Sequence, residues 1–80
     1  MNLCGLKPNQ TGIITEIKLN GAMKRRLNDM GFTTGAAVTM LRTAPCGDPI
    51  EFSVFGYKVC LRRSEAEKIY IGEDMKNAKP

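Results

Sequence analysis

The most reactive side chains in this 80-residue sequence are three cysteines, Cys4, Cys46 and Cys60. Asp48 follows the second of them by two places. A thiol and a carboxylate so spaced in a loop begin a divalent-metal site, so Cys46 and Asp48 are the candidate metal ligands, with Cys60 a third donor. They do not complete a tetrahedral shell, and the sequence has no His to help. A second copy of the chain is one source of further ligands. Fe(II) or another divalent transition metal is therefore the only cofactor left open. The lack of His also removes the usual general base and the side chain that switches near neutral pH. No Gly-rich phosphate loop with its Lys appears, nor any nucleophile paired with a base. The expectation is a protein that is not an enzyme. The cysteine count is odd and without C-x-x-C spacing, which fits reduced thiols better than a disulfide framework.

Charge comes next. Twelve Lys and Arg against eight Asp and Glu give a net charge of +4. Lys24-Arg25-Arg26 and Arg62-Arg63 are the basic runs. A run of this kind on a helix is ordinarily a solvated polar face; its functional reading is contact with an acidic partner surface. Nucleic-acid binding is the alternative. A stacking surface would need aromatics interleaved with basic residues, and the sequence shows no such stripe, so no specific nucleic acid is expected. Nothing approaches the ~20 apolar residues of a membrane span. Residues 1–10 hold no apolar run of leader length, and a cytoplasmic location is expected.

These side chains need elements to hold them. Hydrophobic residues make up 42% of the chain, enough for one small core. Thr11 to Leu19 alternates as a strand, with Ile13, Thr15, Ile17 and Leu19 on one face. Ala22 to Met30 is predicted helical, with Met23, Leu27 and Met30 on one side. Asn20 is its cap, and Gly31 takes the left-handed exit position ahead of Phe32. Methionines at such spacing read as core filler rather than soft-metal ligands. Ala36 to Thr43 is a second strand. Ala44 to Pro49 is a loop, rigid enough to be a binding loop and explicable equally as a long connection in which Asp48 bonds its own backbone. Ile50 to Val54 and Val59 to Leu61 form a hairpin. A type II′ turn at Gly56-Tyr57 would pair Val54 with Val59 and Phe52 with Leu61. Ser64 and Glu67 make a capping box for one helical turn. Lys68 to Ile71 is a last strand, and 73–80 reads as a polar, flexible C-terminal tail. The expected fold class is mainly β: an SH3-like small β-barrel of about five short strands, with one helix after strand 1 and a short helical turn before the last strand. An OB-like barrel fits less well.

Several segments, taken in order, resemble the FeoA family of bacterial ferrous iron uptake. They are Thr11-Gly12-Ile13-Ile14, then Arg26-Leu27-Asn28-Asp29-Met30-Gly31-Phe32-Thr33-Thr34-Gly35, then Ala44-Pro45-Cys46-Gly47-Asp48-Pro49-Ile50, and last Gly56 with Leu61-Arg62-Arg63-Ser64-Glu65-Ala66. The resemblance covers residues 3–72 and sets the domain at 1–72. It departs from familiar members at Cys46 and Cys60. It implies an SH3-like barrel with an inserted helical segment. It also implies a cytosolic accessory protein whose partner is the FeoB-type transporter, met at its GTPase domain or its membrane part. The membrane would be reached only through that partner, and the protein would be a monomer or a weak homo-oligomer. The expected partner-binding residues are Lys24, Arg25, Asp29 and Gly31 around the helix, with Pro45, Gly47, Asp48 and Pro49 in the loop.

Overall fold

The computed structural model describes residues 1–72, and the expected tail at 73–80 lies outside the described residues. After a 3-10 turn at Leu3–Gly5 come β1 (Thr11–Ile17), α1 (Gly21–Asp29), β2 (Ala37–Thr43), β3 (Ile50–Val54), β4 (Tyr57–Leu61), α2 (Arg63–Ala66) and β5 (Ile69–Gly72). The strands form one antiparallel sheet in the order β4-β3-β2-β1-β5. This is the expected mainly-β architecture, with its helix after β1 and its helical turn before the last strand.

β1 is the pivot of the sheet. Its first residues pair with β2 and its later ones with β5. The regular alternation expected along it fails at one point. Ile14 pairs with Ile71 and Glu16 with Tyr70, so Thr15 is an extra residue on β1. The bulge reverses the parity of the strand. Ile14 and Ile17, three residues apart, are consequently both buried, while Thr15 and Glu16 face water. The strand also stops at Ile17 instead of reaching Leu19. A second bulge lies at Leu41, where Met40 pairs with Phe52 and Arg42 with Glu51.

The hairpin forms with a different turn from the one expected. Its two turn residues are Phe55 and Gly56, both at positive φ (51° and 82°), and Val54 pairs with Tyr57. This is the type I′ geometry, whose twist matches that of the strands it joins. Phe52 therefore faces Val59, and Ile50 faces Leu61. The expected register is off by two residues. A slip of two preserves which side chains share a face, so the apolar matching survives.

α1 is nine residues long, too short to persist without docking. Asn20 stands at its cap position but makes no side-chain cap bond. The other end is tightly specified. The Gly31 N–H donates to the Asn28 carbonyl at 3.0 Å, and the Phe32 N–H to the Leu27 carbonyl at 2.9 Å. These are the two bonds of a Schellman cap, with Gly31 left-handed at φ 104°. They send Leu27 and Phe32 into one core, where both are essentially inaccessible. Phe32 and Phe52 are the largest fully buried side chains, and among the described residues no polar or charged one is buried.

Beyond β5 the chain start covers the sheet: the Ile71 N–H donates to the Met1 carbonyl at 2.8 Å, and Asn2 bridges to Tyr70. The opposite edge is β4, whose outer side takes no further backbone partner among the described residues.

A Cβ on Gly31 would stand 2.8 Å from the Phe55 ring and sit in a left-handed conformation. Gly31→Ala is therefore expected to destabilise the fold by about 1–3 kcal/mol. Urea denaturation checks this, with a matching change in the NMR signals of Phe55.

Candidate partner-binding surface

The loop between β2 and β3 is held by its own backbone and by α2. The Ala44 N–H donates to the Pro49 carbonyl at 3.0 Å and the Gly47 N–H to the Ala44 carbonyl at 2.7 Å. The Asp48 carboxylate accepts the Arg63 N–H at 2.9 Å. Arg63 returns the contact, donating from its guanidinium to the Gly47 carbonyl at 2.8 Å. Asp48 thus bonds α2 and not its own backbone. This tie also explains why the expected capping box is displaced. With Asp48 on the Arg63 N–H, α2 begins at Arg63. The residue before it is then Arg62, whose N–H is taken by the Glu65 carboxylate at 2.9 Å. Ser64 and Glu67, expected as the box, do not cap.

Cys46 and Asp48, the expected metal ligands, each meet a partner within the chain. The Cys46 thiol donates to the Asp48 backbone carbonyl at 3.1 Å, while the Asp48 carboxylate is occupied by Arg63. Among the described residues no three His, Cys, Asp or Glu side chains gather as a ligand set. Cys4 lies on the far side of the same knot, its thiol 3.6 Å from the Arg63 carbonyl. Burial pushes the Cys4 thiol above its ordinary pKa, partly opposed by the positive charge of Arg63. Cys46 and Cys60 are exposed.

Two shallow depressions lie between the α1 side and the free edge of β4. One, of about 370 Å³, is lined by Asp29 at the end of α1, by Met30 at its C-cap and by Tyr57, Lys58 and Val59 of β4. The other, of about 330 Å³, is lined by Arg26, Pro49, Cys60, Arg62 and Glu65. Arg26, Asp29 and Met30 stand at i, i+3 and i+4, so a single helix face borders both. Around the corner, Pro49 and Cys60 also border a hollow with Arg42, Thr43, Ala44, Pro45 and Glu51, of about 430 Å³. There the Arg42 guanidinium meets the Glu51 carboxylate at 3.0 Å. At the hairpin tip two aromatics stand free: Phe55 and Tyr57 are each 69% exposed. Phe55 lies over Gly31.

The eight expected partner-binding residues distribute unevenly over this surface. Pro49 and Asp29 line the depressions beside β4, and Gly31 lies beneath Phe55. Pro45 lines the hollow, whereas Gly47 and Asp48 serve the tie to Arg63. Lys24 and Arg25 are exposed on α1 but border none of these depressions. Phe55, Tyr57 and Lys58 were not expected from the sequence, whereas Arg26 was expected as part of the basic run on α1. Phe55 and Tyr57 carried a usable signal, since two aromatics flank the hairpin glycine on an otherwise aromatic-poor chain.

Residues 1–72 match the model of the FeoA domain. A fusion of Fe(2+) transport protein A with the Fe(2+) transporter FeoB, from Porphyromonas gingivalis, is 32% identical over 71 residues. That stretch is 89% of this chain and 8% of the relative, so the chain spans a small part of the protein it matches. The solution structure of a FeoA protein from Chlorobium tepidum superposes with a TM-score of 0.84 at 41% identity, covering 89% of this chain and 68% of that one. The crystal structure of Stenotrophomonas maltophilia FeoA, complexed with zinc and described as an SH3 domain protein, gives 0.78 at 29% identity, covering 90% and 89%. The fold is accordingly SH3-like.

Two outcomes are expected from these contacts. Asp48→Ala should cost about 1 kcal/mol of stability in urea, because the Arg63 N–H loses a charged acceptor. A thiol reagent at neutral pH should modify Cys46 and Cys60 readily and Cys4 slowly. Mass spectrometry of partly labelled protein orders the three sites.

Proposed function

The chain belongs to the FeoA family, and from that premise we propose that it is a cytosolic accessory module of ferrous iron uptake that acts by docking on a FeoB-type transporter. One observation carries this reading: in the Porphyromonas gingivalis relative the matching module and the transporter are parts of one polypeptide. Covalent linkage holds two modules at a high effective concentration, and a separate chain needs a binding surface to reach the same arrangement. The surface described above suits that role. It offers exposed aromatics at the hairpin tip, a basic helix and a braced loop on a rigid scaffold. The docking residues are those around α1, Lys24, Arg25, Asp29 and Gly31, together with Pro45, Gly47, Asp48 and Pro49 of the loop. In this reading the chain reaches the membrane through its partner; among the described residues no helix is long and apolar enough to cross one. Its part in transport is regulatory or assembling, with no reaction of its own.

Titrating isotope-labelled protein with the cytosolic part of its own organism's FeoB-type transporter tests the proposal. Amide shifts should cluster on residues 24–35 and 44–50. Lys24→Glu with Arg25→Glu should weaken binding by about three- to tenfold, more at low salt than at high. Absence of any shift at near-millimolar partner overturns direct docking on that cytosolic part.

A further inference from the structure

The free edge of β4 is an unfilled strand position beside a helix wall. In a hairpin closed by a two-residue turn, Tyr57, Val59 and Leu61 exchange bonds with β3. The backbone N–H and C=O groups of Lys58 and Cys60 therefore point away from the sheet. They have no backbone partner among the described residues. Tyr57 and Val59 lie on the same sheet face as buried Leu61, yet Tyr57 is exposed and Val59 only half-buried. The apolar face thus continues past the edge of the core, and Met30, the C-cap of α1, stands at the same depression.

Charge says what fits there. Arg26, Lys58 and Arg62 line the two depressions, and none of their side chains makes an ion pair or hydrogen bond among the described residues. Of the two carboxylates present, Glu65 is already bonded to the Arg62 N–H, which leaves Asp29. Taken together the two depressions carry three cations against two carboxylates, with the excess positive charge at Arg26 and Arg62 beside the apolar patch of Met30, Tyr57 and Val59. A second copy of this chain is a poor occupant, because it would set the same cations against one another.

We propose that this edge captures an extended, acidic segment of the FeoB-type partner, which adds to β4 as a sixth strand. Its backbone pairs with Lys58 and Cys60, an apolar side chain rests on Met30 and Val59, and flanking carboxylates meet Arg26 and Arg62. About five residues, or ~17 Å of strand, match the length of β4. The inference rests on the docking reading above and adds the place and the recognition mode.

The test uses the whole chain and the purified full-length FeoB-type transporter of the same organism in detergent. Binding should slow solvent exchange at the Lys58 and Cys60 amides. Lys58→Pro removes one outward N–H without touching the bonds to β3, and should weaken binding at least tenfold. Arg26→Glu with Arg62→Glu should weaken it similarly, more at low salt. If Lys58→Pro fails to fold, Lys58→Glu and the exchange data decide. If the transporter binds with all variants within twofold of the parent and no protection at Lys58 and Cys60, the strand position is wrong and docking elsewhere stands. If the parent chain does not bind the transporter at all, both readings fall.

Discussion

The reversal of the chain at Gly31 governs this molecule. A nine-residue helix has no stability to spare, so it must be held from outside. The Schellman bonds do this by bringing Leu27 and Phe32 into the core from either side of the turn. That geometry needs a left-handed residue, and the space above it needs one without a side chain, because the Phe55 ring fills it. One glycine therefore fixes the end of α1, the path into β2 and the resting place of the hairpin tip. Asp29 and Met30, which line one depression beside β4, stand just before it.

The cohesion of the described domain is apolar throughout. Sixteen hydrophobic residues make up its core, and no buried polar side chain enforces registration within it. Position is set at the periphery instead, by backbone bonds and by a few directional contacts. The knot of Asp48, Gly47 and Arg63 is the clearest of these. It ties the long loop to α2, while the Cys4 thiol reaches the same Arg63 from the chain start. A loop so braced presents Pro45 and Pro49 in one arrangement, and a preformed surface loses less entropy on binding than a mobile one.

The two edges of the sheet are treated differently. The β5 edge is covered by Met1 and Asn2. The β4 edge carries Lys58, a residue that discourages indiscriminate pairing, yet it keeps an apolar floor beside it. The two edges thus differ in both backbone pairing and side-chain character.

The order of elements was legible in the sequence. Alternation marked the strands, the helical spacing of Met23, Leu27 and Met30 marked α1, and Gly31 marked its end, because each of these signals is local. The two bulges, the turn at Phe55-Gly56 and the start of α2 were not. Thr15 becomes an extra residue only because β1 must serve β2 and β5 in turn. Phe55 takes positive φ because the type I′ turn suits the sheet's twist, against its own preference. α2 starts at Arg63 because Asp48, fifteen residues earlier, supplies the acceptor. The same division holds for the candidate surface. Basic residues and a Pro-rich loop were visible as types, whereas the meeting of Arg26 with Cys60 in one depression and of Met30 with Val59 in another was decided by tertiary structure. Periodicity and turn chemistry act over a few residues and are written in the chain. A depression is made of side chains that meet only after the sheet and helix have packed.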